Sequence, residues 1–372
     1  MSKIRIMSVF GTRPEAIKMC PLVKEIQEHE ELESIVCVTA QHREMLDQVL
    51  EVFHVKPDYD LDIMQPNQTL SQITTRIIEK IEPILKSAKP DMVLVHGDTT
   101  TSFAVALAAF YQQIPVGHVE AGLRTYNMYS PFPEEMNRVL TSRLTSLHFA
   151  PTMLNKANLV RENIIDNIYV TGNTVLDAFK TTVTPDYKFK NTILRHTDLS
   201  KEKVILLTAH RRENIGEPLE HICNAVKRIV DEFGDVKVIY PVHLNPAISK
   251  PVHERLGNNK KVLLLEPLDV CDLHNLMAKC HLVMTDSGGL QEEGPSFKKP
   301  VLCLRTETER PEAVEAGGVK VVGVDEDTIV EEVRALLTNK DAYDAFLKNE
   351  NPYGDGHASE KIIKAILDYK SR

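Results

Sequence analysis

Short apolar runs rich in β-branched residues recur along this chain, each followed by a polar turn and a longer stretch of helical period. Ile4–Phe10 precedes Glu15–His29, Ile35–Thr39 precedes Arg43–Phe53, and Met92–His96 precedes Thr100–Gln112. Val116–Val119 then leads through a loop to Glu134–Leu144, with further runs at Leu147–Ala150 and Ile168–Val170. A second series comprises Val204–Thr208, Val236–Tyr240, Val262–Leu265, Leu282–Thr285, Val301–Leu304 and Val319–Val322, with helical stretches such as Leu219–Phe233 and Thr328–Leu337 between them. Strands this uniformly apolar must be covered on both faces, which predicts parallel sheets with helical crossovers. Two series predict two doubly wound α/β domains, in keeping with 372 residues. In such sheets ligands bind at the carboxyl ends of the strands, here in a cleft between the domains.

The charged, weakly patterned stretch Thr184–Lys203 separates the two series. Near the end, the turn-rich Asn351-Pro352-Tyr353-Gly354-Asp355-Gly356 precedes an amphipathic helix over Ala358–Tyr369, whose Ile362, Ile363, Ile366 and Leu367 form a single apolar stripe. That helix either packs on the second domain or crosses back to the first.

Composition removes several function classes. With 44 Lys+Arg against 53 Asp+Glu, the chain carries a formal charge of −9, so no global basic field invites nucleic acid. The longest apolar run suited to a membrane is Phe103–Tyr111, nine residues, where a spanning helix needs about 18. The six cysteines are scattered through apolar runs without a C-x-x-C, which predicts buried free thiols in a reducing compartment. The opening residues lead directly into a strand-like run without a signal-peptide pattern, so the expected location is cytoplasmic, with no membrane or nucleic-acid partner. Walker, G-x-G-x-x-G and H-E-x-x-H motifs are absent, which weakens ATPase, dinucleotide and zinc-hydrolase readings and predicts no metal.

The polar residues collect just after the predicted strands. Gly11-Thr12-Arg13-Pro14-Glu15 follows the first, and Arg13 and Lys18 there either flank an anion-binding helix N-terminus or are solvated cations on a capped helix. Asp98, in His96-Gly97-Asp98-Thr99, reads by itself as the cap of the next helix. Glu120 ends the neighbouring strand, however, and Glu134 and Glu135 open a helix behind a proline turn. Three strand or helix ends that each bring an acid to one rim suggest acid/base work, with mutual repulsion driving their pKa values apart. In the second series His210 and His243 stand at corresponding strand ends. Asp286-Ser287-Gly288-Gly289 offers backbone N–H groups to a diphosphate, and Glu292 or Glu293 suits ribose hydroxyls.

Together and in order, Gly11-Thr12-Arg13-Pro14-Glu15, His96-Gly97-Asp98-Thr99, His118-Val119-Glu120-Ala121-Gly122, Pro133-Glu134-Glu135, His210-Arg211-Arg212-Glu213-Asn214, Asp286-Ser287-Gly288-Gly289 and Thr308-Glu309-Arg310-Pro311-Glu312 resemble the bacterial non-hydrolysing UDP-N-acetylglucosamine 2-epimerases. The resemblance implies a GT-B fold of two Rossmann-like domains facing a deep cleft. It also implies a tail helix returning to the first domain, giving residues 1–170 plus about 354–372 and residues 171–353. The implied activity is reversible inversion of carbon 2 between UDP-N-acetylglucosamine and UDP-N-acetylmannosamine, by loss of UDP to 2-acetamidoglucal and re-addition, without a cofactor. By the same resemblance Asp98, Glu120 and Glu134 supply the carboxylates and His210 assists at the diphosphate. Arg13, Lys18, Ser287, Gly288, Gly289, Glu293 and Arg310 contact the substrate. Gln41, Glu44, Arg211 and His243 correspond to an activator pocket for a second UDP-N-acetylglucosamine. A homodimer is the usual assembly, and the product feeds cell-envelope polysaccharides such as teichoic acid or capsule. A hydrolysing epimerase or a GT-B glycosyltransferase would share much of this machinery.

Overall fold

In the computed structural model, residues 3–40 and 43–371 are described, and they divide into two compact units: 1–181 with 353–372, and 182–352. Among the described residues the first unit contains β1 (Ile4–Phe10), β2 (Leu32–Val38), β3 (Tyr59–Asp60), β4 (Met92–His96), β5 (Val116–Val119), β6 (Leu147–Ala150) and β7 (Ile168–Val170). They form one sheet in the order β3-β2-β1-β4-β5-β6-β7, parallel at every pairing.

The strand period of two feeds two separate cores. Ile6, Phe10, Val36, Val38, Met92 and Leu94 pack on one face of the sheet. Met7, Val9, Ile35, Cys37, Val93 and Val95 pack on the other, so every residue of these central runs must be apolar or small. The first face is covered by the Arg13–Glu28 helix and the terminal helix Ala358–Lys370, whose Ile362, Ile363 and Ile366 are buried there. At about 2 kcal/mol for each such side chain, that stripe is enough to hold the tail on this unit. The second face is covered partly by a helix over Leu70–Ala88 that the sequence reading did not propose. Pro83 interrupts its pattern, yet Ile73, Ile77, Ile81 and Leu85 repeat every fourth residue and are buried.

The second unit contains β8 (Lys203–Thr208), β9 (Val236–Pro241), β10 (Val262–Leu265), β11 (Leu282–Thr285), β12 (Val301–Cys303) and β13 (Val319–Val321), in the parallel order β10-β9-β8-β11-β12-β13. In both sheets the order reverses beside the first strand, between β1 and β4 and between β8 and β11. These are the points where the crossovers diverge and leave room above the strand ends.

The boundary lies after Thr181 rather than after residue 170, for a local reason. Thr171 N–H donates to Ala150 O at 3.0 Å, Asn173 N–H to Tyr353 O at 2.7 Å, and the Asp177 carboxylate accepts Ala358 and Ser359 N–H at 3.1 and 2.8 Å. Residues 171–181 are thereby sewn to the first unit and to the tail. The stretch from Thr184 to Lys203 belongs to the second unit, where Asp272 accepts from Tyr187 Oη, Lys190 N and Asn191 N. All six cysteines are buried and free. No helix among the described residues is long and apolar enough to cross a membrane.

Candidate active site

In the first unit the loop after β1 is closed by a capping box. Thr12 Oγ1 accepts from Glu15 N–H, while the buried Glu15 carboxylate accepts from Gly11 N (3.0 Å), Thr12 N (2.8 Å) and Thr12 Oγ1 (2.8 Å). Its other oxygen accepts from Thr99 Oγ1 at 2.7 Å, tying the loop after β1 to the loop after β4. Burial pushes the Glu15 pKa above the ordinary carboxylate value, against the pull of these donors.

Thr99, not Asp98, caps the helix after β4, accepting from Ser102 N–H at 3.1 Å. Asp98 is thus released from the capping duty. Its side chain pairs with Arg138, while its carbonyl accepts from Asn137 Nδ2 at 2.9 Å. Burial raises the Asp98 pKa; Arg138 opposes the rise and the negative charge of Glu120 adds to it.

Glu120 sits at the end of β5 with φ +64°, pairs with Lys18, and accepts from Asn173 Nδ2 at 2.7 Å. His96 Nε2 lies 3.7 Å from it, but burial lowers that imidazole to about 4, so Lys18 is the cation that faces Glu120 at neutral pH. Glu134 is the half-buried first residue of the Glu134–Leu144 helix, which supplies Asn137 and Arg138. Its neighbour Glu135 turns inward, accepting from Thr125 N (3.0 Å) and Tyr126 N (2.9 Å). Arg13 is half-buried at the first position of its helix. Lys18, Asp98 and Glu120 therefore come together.

In the second unit Asp286 is wholly buried after β11, and its Oδ2 accepts from His210 N (2.7 Å), Arg211 N (2.8 Å) and Asn214 Nδ2 (3.0 Å). Its Oδ1 lies 3.3 Å from His210 Nδ1. Burial lowers the His210 pKa and Asp286 pulls it back up. His243, exposed, stacks on His210 with ring centroids 5.8 Å apart.

Beside them Ser287-Gly288-Gly289 opens a short helix. A Cβ on Gly288 would meet Arg310 Cζ at 3.6 Å and Arg211 Nη2 at 3.8 Å, so two guanidinium groups border this turn. Of the two acids, Glu292 is committed to Arg310, whereas Glu293 Oε1 would lie 3.4 Å from a Cβ on Gly289. His210, Arg211, Gly288 and Arg310 are thus gathered, with Gly289 and Glu293 adjoining. Among the described residues no group of three or more His, Cys, Asp and Glu side chains is arranged to hold a metal ion.

A family model described as UDP-N-acetylglucosamine 2-epimerase matches residues 24–367. The chain belongs to that family. It is 56% identical to the UDP-N-acetylglucosamine 2-epimerase of Bacillus subtilis over 368 residues, covering 99% of this chain and 96% of the relative. The Neisseria meningitidis UDP-GlcNAc 2-epimerase, solved bound to UDP-GlcNAc, superposes with TM-score 0.90 at 50% identity, covering 98% of this chain and 100% of that one. A Streptomyces nogalater glycosyltransferase, 13% identical over 99% of each chain with TM-score 0.64, shares the fold alone, and the two Rossmann-like units are of the GT-B class.

In this member of the epimerase family, sequence reasoning named the acids but missed what fastens them. Arg138, Asn137, Asn173 and Glu15 carried no assignment, and Asp286 appeared only within a motif. The Thr12-x-x-Glu15 spacing is a visible capping-box signal, and Glu135 and Arg138 stand three apart on one helix. Nothing in the sequence links Arg138 to Asp98, forty residues away. Gln41 lies outside the described residues, as does the side chain of Glu44.

Proposed function

We propose that this chain reversibly epimerises UDP-N-acetylglucosamine to UDP-N-acetylmannosamine without net hydrolysis. Carbon 2 has no adjacent carbonyl, so a carbanion there would be unstabilised. Loss of the C2 proton together with cleavage of the C1–oxygen bond to UDP forms the C1=C2 double bond of 2-acetamidoglucal. Re-addition of UDP with protonation from the opposite face completes the inversion. Such a route needs carboxyl groups that exchange protons and fixed positive charge for the departing diphosphate.

The observation that carries the reading is the pair Asp98 and Glu120, close enough for Glu120 to raise the Asp98 pKa, yet each fastened to its own cation. Glu134 is the third acid of this reading. Arg211, Arg310 and the Ser287–Gly289 turn receive the diphosphate, with Arg13 and Lys18 as further contacts, Glu293 on the ribose and His210 beside the phosphates. The same reading makes the protein a cytoplasmic homodimer that supplies N-acetylmannosamine units for envelope polysaccharide. Arg211 and His243 would border an activator site.

Incubation with UDP-N-acetylglucosamine in deuterated water tests the reaction. Deuterium at carbon 2 of intact nucleotide sugar in both configurations is expected. Release of UDP without that label would sink the proposal in favour of hydrolysis or glycosyl transfer.

A further inference from the structure

Arg138 is buried on the Glu134–Leu144 helix, and its charge is shared between two acids. Nη2 meets the Asp98 carboxylate, and Nη1 lies 3.3 Å from Glu135 Oε2. Glu135 in turn holds the N–H groups of Thr125 and Tyr126, so the Arg138 fork is braced from behind by the base of the 125–133 loop. Asn137, one residue earlier, grips the Asp98 carbonyl. One helix turn thus fixes both the backbone and the side chain of the acid. The charged groups acting on Asp98 are Arg138, Glu120 and Lys18, and Glu135 faces Arg138 from the same helix. Three carboxylates therefore share two cations, and the cluster holds one negative charge more than it neutralises when all are ionised.

We propose that Arg138 is a positioning residue for Asp98, aiming its carboxylate and setting its proton affinity, with Glu135 limiting how much of the guanidinium charge Asp98 receives. This rests on the epimerase reading above. Two variants then shift the pH–rate profile in opposite directions. Arg138→Gln removes the opposite charge, so the limb governed by Asp98 moves to higher pH by about one unit or more, and kcat falls by about 10- to 100-fold. Glu135→Gln removes the competitor for Arg138, so the same limb moves to lower pH. Arg138→Lys keeps the charge without the two-pronged fork. Its limb stays near the wild-type position while kcat falls.

The measurement is carbon-2 deuterium exchange across pH with full-length protein, alongside UDP affinity, which should change by less than about twofold. Parallel loss at every pH in Arg138→Gln, or shifts of the same sign in Arg138→Gln and Glu135→Gln, would overturn the assignment. If Arg138→Gln does not fold, Arg138→Lys and Glu135→Gln decide it: an Arg138→Lys limb displaced as far as the Glu135→Gln limb, or no displacement in Glu135→Gln, removes Arg138 from this role. Wild-type protein that exchanges no deuterium defeats the epimerase reading instead. Normal wild-type exchange with unmoved variant profiles defeats only the Arg138 assignment.

Discussion

The two units reverse strand order at the same place, and in each a single buried acid ties the loops across the gap. In the first unit the tie is Glu15, from the segment after β1, and both of its oxygens are taken up by Gly11, Thr12 and Thr99. In the second unit the tie comes from the other side, as Asp286 after β11. Only its Oδ2 is consumed by N–H donors of the opposing loop, and Oδ1 is left to His210. A fully occupied carboxylate can only hold a loop. One with an oxygen to spare can also orient a side chain. The difference predicts that equivalent substitutions fail differently in the two units.

The largest effect on stability belongs to Glu15→Ala. It strips the acceptor from the Gly11 and Thr12 N–H groups and from the Thr12 and Thr99 hydroxyls in a buried site, at about 3 to 5 kcal/mol. Denaturant unfolding should show the loss in the first unit's transition, while UDP binding by the isolated native fraction is retained. Because burial raises the Glu15 pKa, the folded chain holds that proton more tightly than the unfolded one. Its contribution is therefore greatest at acid pH and is lost as pH rises through the raised value. The gap between wild type and Glu15→Gln should narrow in that direction. An unchanged midpoint in Glu15→Ala would show that the acid is no tie.

Asp286→Asn is the matching change in the second unit, with the opposite signature. The side-chain carbonyl can still accept from His210 N, Arg211 N and Asn214, so the midpoint should move by only about 1 kcal/mol. The amide now faces Nδ1 and favours the wrong tautomer, so deuterium exchange should fall by about 100-fold or more. Loss of the negative charge also moves the His210 titration to lower pH, readable by NMR. A stability loss as large as that of Glu15→Ala with undiminished exchange would erase the distinction drawn here.

How much of this was legible in the sequence follows from the range of the forces involved. Strands buried on both faces announce themselves in consecutive residues, and Ile4–Phe10, Met92–His96 and Val262–Leu265 are strands over those same spans. Leu70–Ala88 was not among the helical stretches proposed; Ile73, Ile77, Ile81 and Leu85 repeat every fourth residue there, and Pro83 near its end does not stop the helix once a sheet is there to pack against. At the candidate site, local reasoning offered Asp98 as a cap. Thr99, one residue on, has the geometry to reach Ser102 N–H instead, and the partner that claims Asp98 comes from another helix. Residue types at strand ends were readable; their counter-ions were not, because a salt bridge between distant segments leaves no period in the sequence.

Glycines sharpen the comparison at smaller amplitude. Gly11, at the first unit's switch point, has Thr39 Oγ1 1.8 Å and Thr39 Cβ 3.2 Å from where a Cβ would stand, so Gly11→Ala must push β1's loop away from the loop after β2. Gly288 faces guanidinium groups no nearer than 3.6 Å. Gly288→Ala should therefore fold normally and weaken UDP binding by about tenfold by occupying the space an anion would use. Calorimetry separates the two: loss of stability in Gly11→Ala, loss of UDP affinity alone in Gly288→Ala. If Gly288→Ala binds UDP as wild type does, the turn between Arg211 and Arg310 is not an anion cradle.

The smallest effect tests a third tie, in the first unit, built as Asp272 is built in the second, where that carboxylate accepts Lys190 and Asn191 N–H. Asp177 accepts the N–H groups of Ala358 and Ser359, at the start of the terminal helix, from 181 and 182 residues earlier. A carboxylate there satisfies two open donors and faces the positive end of the helix. Asp177→Asn keeps one acceptor and loses the charge, costing about 1 kcal/mol. That is too little to release Ile362, Ile363 and Ile366 from their core. It should instead raise amide exchange in the first turn of the helix several-fold and leave the rest protected. Uniformly faster exchange along 358–370 would mean that the cap, rather than the apolar stripe, holds the tail on the first unit.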